Sequence, residues 1–133
     1  HELPLVFPVH PRTRQRLEAA NLWSMLEAAG IRLIEPVPYI RFMSLVIGAA
    51  AVVTDSGGVQ EETTYLGIPC LTLRPNTERP VTVTEGTNRL TRPEILLADV
   101  RAALQPGLNG HRRPEHWDGQ TARRCVEDLK RRG

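Results

Sequence analysis

Short apolar runs alternate with amphipathic stretches along this chain. Leu3, Leu5, Val6, Phe7 and Val9 form one run ending at His10 and Pro11, which reads as a buried strand delivering His10 to its carboxyl end. Residues 13–29 are strong helix formers with Leu22, Met25, Leu26 and Ala29 on one face, and Gly30 stands where a C-terminal cap belongs. Residues 31–34 predict a second strand. Pro36 and Pro38 then force an extended link to a helical segment over 39–48. A third strand over 51–54 runs into Asp55-Ser56-Gly57-Gly58, a helix over 59–66 ends at Gly67, and residues 69–73 supply a fourth strand. Residues 74–86 read as a long surface loop with a short extended piece near 81–83, followed by an edge strand over 87–91. A helix over 93–104, a loop over 105–116 and a terminal helix opening after Asp118 as N-cap complete the order.

Alternation at this spacing predicts right-handed βαβ units. The fold class is therefore α/β, a Rossmann-like three-layer α/β/α domain with a mainly parallel sheet, and residues 1–133 are expected to form one domain. The hydrophobic share of 41% and charged share of 24% suit a globular chain. A net charge of +2 is too small to predict nucleic-acid binding. Two cysteines, Cys70 and Cys125, suggest neither a disulfide framework nor a zinc site, and fit a reducing cytoplasm. No stretch is long and apolar enough for a membrane span, and the first residues lack the layout of a signal peptide. Because His1 and Glu2 lead almost at once into an apolar run, the sequence reads as a piece of something longer.

The chemistry gathers where the third strand turns into a helix. Gly57 and Gly58 let the backbone bend and a ligand approach the main chain, while the first free N–H groups of the helix carry partial positive charge. Such a turn suits a phosphate. It also serves as an ordinary strand-to-helix turn capped by Asp55 or Ser56. Glu62 lies one helical turn beyond Gly58, where a carboxylate accepts hydrogen bonds from ribose hydroxyls, and a phosphate pocket beside a carboxylate describes a nucleotide site. His10 stands at the strand edge where open parallel sheets bind ligands, although a histidine before a proline is more often a plain turn residue. Arg79 either pairs with Glu78, faces water, or offers its guanidinium fork to phosphate and sugar oxygens. Arg74 is the weaker candidate. Phe42 is equally suited to base contact and to core packing. His111 and His116 read as exposed loop histidines, with no arrangement that makes a metal site.

The runs TDSGGVQEE (54–62), LGIPCLTLR (66–74) and TERPVTVTEGTNRL (77–90), with VHPRTR (9–14) upstream and HWDG (116–119) downstream, resemble the C-terminal domain of UDP-N-acetylglucosamine 2-epimerases. The pieces run from His10 to Gly119 in the family's order. The resemblance implies the C-terminal half of a GT-B-like fold, with the active site in the cleft between two Rossmann-like domains, of which the N-terminal half would be absent. It implies that Ser56, Gly57 and Gly58 hold phosphate, that Glu62 holds ribose, that Arg79 contacts the substrate, and that Phe42 belongs to the segment enclosing the uracil. Val37 stands where some members have glutamine, so base recognition there would rely on backbone groups. His10 is implied to face the diphosphate and stabilise departing UDP.

The resembling enzymes remove the proton at C2 of the sugar and expel UDP from C1, giving a glycal, then add UDP back with the opposite configuration at C2. No cofactor and no metal are implied, and a homodimer is compatible with the full-length form. Their catalytic carboxylates come mostly from the first domain, so the 133 residues alone are expected to be inactive. Glu61 and Glu62 are adjacent on a helix and project about 100° apart, which suits no paired-carboxylate dyad. Two rivals stand beside this reading: a UDP-sugar-dependent GT-B glycosyltransferase domain, and a non-catalytic nucleotide-binding module. TERP followed by EGTNRL fits the epimerases better than the transferases.

Overall fold

The computed structural model of the chain describes residues 3–105 and 113–133. Two compact units divide it, His1–Ser44 and Leu45–Gly133. Every strand pair in both is parallel.

The first unit runs β1 (Leu5–Pro8), α1 (Pro11–Ala19), α2 (Trp23–Ala28), β2 (Ile31–Ile34) and into α3 (Tyr39–Ile47), within which the division falls. Leu5 pairs with Ile31 and Pro8 with Ile34, and the Val9 amide extends the ladder to the Ile34 carbonyl at 2.9 Å. The single helix expected over 13–29 is two helices. Asn21 takes a φ of 53°, and the amides of Asn21 and Leu22 donate to the carbonyls of Glu18 at 3.0 Å and Leu17 at 2.8 Å. This is the Schellman closure around a left-handed residue, a conformation that asparagine's short polar side chain tolerates. Gly30, with a φ of 81°, makes the turn into β2 as expected.

The reading of β1 as a buried strand is corrected. Leu5 is 54% exposed and Val6 and Phe7 are exposed as well, whereas Val9 beyond the strand is 2% exposed. An apolar run marks residues that favour burial, but a packed neighbour has to cover them before they are buried.

The second unit contains β3 (Val52–Thr54), α4 (Gly57–Leu66), β4 (Cys70–Thr72), α5 (Pro80–Thr84), β5 (Asn88–Leu90), α6 (Leu96–Ala103) and α7 (Thr121–Arg132). Its strands lie in the order β3-β4-β5, with Val52, Cys70 and Asn88 in register at one end and Thr54, Thr72 and Leu90 at the other. The central strand is buried throughout. Gly67, at a φ of 76°, closes α4, and the Ile68 amide reaches back to the Thr63 carbonyl at 2.9 Å.

Four boundaries differ from expectation. Helix α4 begins at Gly57, so the glycine pair forms its first turn instead of preceding it. The extended piece expected at 81–83 is helical, because Pro80 at the first helical position outweighs the strand preference of Val81 and Thr82. Helix α6 opens at Leu96, three residues late. Asp118 does not cap α7: Gln120 occupies that position, and Asp118 accepts its amide at 2.9 Å.

The core of the second unit combines Val46, Ile68, Cys70 and Leu71 with seven buried polar residues, Gln60, Thr63, Thr64, Thr72, Thr82, Asn88 and Thr91. Burial pushes the Cys70 thiol up, away from reactivity. Cys125 is exposed, and neither cysteine is in a disulfide. Among the described residues no helix is long and apolar enough to cross a membrane. His111 lies outside the described residues.

Candidate functional site

Strand β3 delivers the turn, and hydrogen bonds fix its shape. The Leu73 amide holds the Thr54 carbonyl at 2.8 Å, and Thr54 Oγ1 accepts the Ser56 amide at 3.1 Å. Ser56 caps α4 from an extended conformation without a side-chain capping bond, so its hydroxyl is not spent on the helix. The first helical amide to bond within the turn is that of Gln60, which reaches the Ser56 carbonyl at 3.4 Å. The amides of Gly57, Gly58 and Val59 precede that ladder, at the positive end of the helix.

Neither glycine is required by the protein's own sterics. A Cβ added at Gly57 or Gly58 would meet nothing within 4 Å, and neither has a positive φ. Their lack of side chains therefore keeps the space above the helix N-terminus open. That is the geometry a phosphate group needs to reach backbone amides.

Arg79 is tied to the same helix. Its Nε donates to Glu61 Oε1 at 2.9 Å, one helical turn beyond Gly57, and its Nη1 reaches the Glu78 carbonyl at 3.3 Å. The anticipated partner Glu78 is engaged by Arg74 instead, through two bonds of 3.0 and 2.7 Å. Those bonds raise the pKa of Arg74 and hold Glu78 below the usual carboxylate range, while Asp55 adds a weaker attraction on Arg74. Arg74 thus commits two of its five donors to one carboxylate, and Arg79 likewise spends two, on Glu61 and the Glu78 carbonyl, which leaves it N–H groups to offer from a side chain 43% exposed. Glu62 is half-buried on α4, and no hydrogen bond or ion pair engages it among the described residues.

The second unit therefore brings Ser56, Gly57, Gly58, Glu62 and Arg79 together on one helix and the loop against it. His10 and Phe42 belong to the first unit. His10 caps α1, where its Nδ1 accepts the Arg12 amide at 3.3 Å. In the neutral ring that bond places the proton on Nε2, leaving a donor suited to an anionic oxygen. Phe42 is half-buried on α3. Among the described residues no cluster of histidine, cysteine and carboxylate side chains could hold a metal ion.

The family model described as UDP-N-acetylglucosamine 2-epimerase matches residues 1–130. The chain belongs to this family. A UDP-N-acetylglucosamine 2-epimerase of Methanocaldococcus jannaschii is 48% identical over 112 residues, covering 82% of this chain and 31% of the relative. A Pseudomonas aeruginosa relative, a UDP-2,3-diacetamido-2,3-dideoxy-D-glucuronate 2-epimerase, is 44% identical over 103 residues, 76% of this chain and 28% of the relative. The solved structure of the Methanocaldococcus jannaschii enzyme in complex with UDP-GlcNAc and UDP is similar at a TM-score of 0.81 and 41% identity, over 95% of this chain and 35% of that one. The epimerase-family chain thus spans about a third of the length of the curated relatives it matches. The α/β fold with parallel strands, and its likeness to epimerase chains, stand as expected from the sequence.

Three participants escape a sequence reading. Glu61 holds Arg79, and Gln60 and Asn88 lie buried beneath the turn and the loop. Glu61 carries a faint signal, since it sits four residues after Gly57 on the same helical face. The amides carry none that a polar pattern distinguishes from surface residues.

Proposed function

We propose that residues 1–133 act as one nucleotide-binding domain, the UDP-holding part of a UDP-N-acetylglucosamine 2-epimerase that interconverts UDP-N-acetylglucosamine and UDP-N-acetylmannosamine. The observation that carries this reading is the open space over Gly57 and Gly58 at a helix N-terminus, with Arg79 paired to Glu61 on the same helix and a Glu62 there that none of the described residues engages. Ser56, Gly57 and Gly58 take the diphosphate, Arg79 adds a charge-assisted contact, and Glu62 accepts the ribose hydroxyls. His10 donates from Nε2 to the diphosphate as the C1–O bond breaks, and Phe42 lies against the uracil.

Elimination takes the proton from C2 and expels UDP from C1. Re-addition returns UDP to C1 and a proton to the opposite face of C2. The chain's groups serve the leaving UDP, whose negative charge they offset as it develops. The base for C2 is supplied by the remaining two thirds of the enzyme, so these residues alone catalyse no exchange at C2. The Pseudomonas aeruginosa relative favours a second reading at the sugar end only, an epimerase of a diacetamido uronate, with UDP held in the same way.

Titration with UDP tests the site. Gly58→Val puts a branched side chain into the open space and is expected to weaken UDP binding at least tenfold while the melting temperature stays within a few degrees. Equal affinity for UDP in the folded variant rejects the turn as the phosphate site.

A further inference from the structure

Beneath Arg79 lies a chain of hydrogen bonds whose proton order is set from end to end. Asn88, 5% exposed on β5, accepts from Thr72 Oγ1 at 2.6 Å through its carbonyl oxygen. Its Nδ2 therefore has two protons to give, one to Gln60 Oε1 at 3.1 Å and one to Thr82 Oγ1 at 3.0 Å. Gln60 Oε1 accepts a second bond, from Thr77 Oγ1 at 2.6 Å. Having given its proton, Thr77 Oγ1 accepts the Arg79 amide at 2.9 Å. Thr82 Oγ1, already an acceptor, donates to the Arg79 carbonyl at 2.7 Å.

Both backbone groups of Arg79 are thus held by hydroxyls, and both hydroxyls are tied to one buried amide pair. Gln60 has no exposed surface, and its Nε2 is buried without a partner among the described residues. A donor left unmade costs free energy. The glutamine's Oε1 is therefore the atom that contributes, as the junction between Thr77 and Asn88. Close packing of Gly86 against Thr64 and the Thr82 carbonyl leaves this segment no slack.

We infer that Gln60 and Asn88 are positioning residues that act through Thr77 and Thr82 to hold the backbone of Arg79 where its guanidinium meets Glu61 on α4. This rests on the proposal that the turn binds UDP. The amides touch no nucleotide; they fix the backbone from which the guanidinium reaches. Specificity follows from the proton order. A group in the place of Thr77 must both accept from an amide and donate to a carbonyl, which serine does and valine, of the same shape, does not.

The test uses the full 133-residue chain, with hydrogen–deuterium exchange followed amide by amide and UDP affinity measured by titration. Thr77→Val is expected to speed exchange at the Arg79 amide at least tenfold and leave the Leu73 amide, bonded to Thr54, unchanged. It should weaken UDP severalfold, the change that loss of one hydrogen bond produces. Thr77→Ser should restore both. In an Arg79→Ala background Thr77→Val should weaken UDP no further, because the network acts through that side chain. Gln60→Met, where it folds, should behave as Thr77→Val does. Arg79 exchange within twofold of the parent in folded Thr77→Val overturns the inference, as does an equal loss of UDP affinity in both backgrounds. A parent chain that binds no UDP but shows the expected exchange pattern overturns the nucleotide reading while the cradle around Arg79 stands.

Discussion

The two units of this chain differ in what they bury. In the first, the apolar strand β1 is exposed along Leu5, Val6 and Phe7, and Val9 is the one buried residue among those described; in the second, Gln60, Thr63, Thr64, Thr72 and Thr82 have no exposed surface, beside the apolar Val46, Ile68, Cys70 and Leu71. The pattern of apolar residues selects strand or helix, whereas burial depends on which neighbours are packed against the element. Gln60, Thr72, Thr82 and Asn88 are bonded to one another or to neighbouring threonines, and those bonds have directions that apolar contacts lack. The unit with this directional network is also the one that carries the Ser56–Gly58 turn.

Truncating one leucine in each unit gives the sharpest contrast. Leu71, 2% exposed in the central strand β4, should cost about 2–5 kcal/mol as Leu71→Ala, which leaves a cavity in a packed core. Leu5→Ala, at a residue 54% exposed in β1, should stay within about 0.5–1 kcal/mol. Equilibrium denaturation of both variants decides it. Equal losses would break the comparison, since they would mean that the exposed strand is as tightly packed as the buried one.

A second contrast lies within the second unit, between two of its glycines. At Gly86 an added Cβ would fall 2.4 Å from Thr64 Cγ2 and 2.6 Å from the Thr82 carbonyl oxygen, which is backbone and cannot swing aside. Gly86→Ala should therefore destabilise by about 1–3 kcal/mol. Gly57→Ala meets nothing within 4 Å and should be neutral or slightly stabilising in a helical first turn. Denaturation midpoints that rank the two in reverse would show that the space over Gly57 is closed, and the phosphate reading would lose its main support.

How much of this was legible from the residues differs by feature. The alternation of strands and helices, the parallel pairing and the glycine turn followed from periodicity and from Gly30, Gly57, Gly58 and Gly67, since each answers to local geometry. The break at Asn21 was missed because apolar spacing continues across it, although an asparagine before a new helix is itself a stop signal. Helix α5 was missed because its β-branched residues suggest a strand, whereas Pro80 sets its start. Arg79 was anticipated as a site residue, but its partner was not: Glu78 is adjacent in sequence, while Glu61 is brought near by the fold. Asn88 and Gln60 are 28 positions apart, and no local rule joins two amides across that distance.

The smallest effect concerns α7, which lies in the second unit and yet has no buried residue. Its stability rests on local contacts, chiefly Arg124, which donates to both oxygens of Asp118 at 2.9 Å and to the His116 carbonyl at 2.7 Å. Those bonds, with the Gln120 amide, hold the Asp118 carboxyl well below the usual range. A carboxylate whose pKa is depressed by folding stabilises the folded form above its unfolded pKa, and the contribution is lost as pH falls through the folded value. Asp118→Asn should therefore lower the helical signal and melting temperature slightly at pH 7, by an amount that salt reduces because the pair is exposed. As pH drops below about 4, where the unfolded carboxyl takes up its proton, the gap between parent and variant should narrow, and it should close once the folded parent is protonated too. Circular dichroism of both proteins across that range checks the sign. A gap that widens towards low pH, or one unaffected by salt, would mean that Asp118 acts through something other than its charge on Arg124, and that α7 is held as the buried strands are.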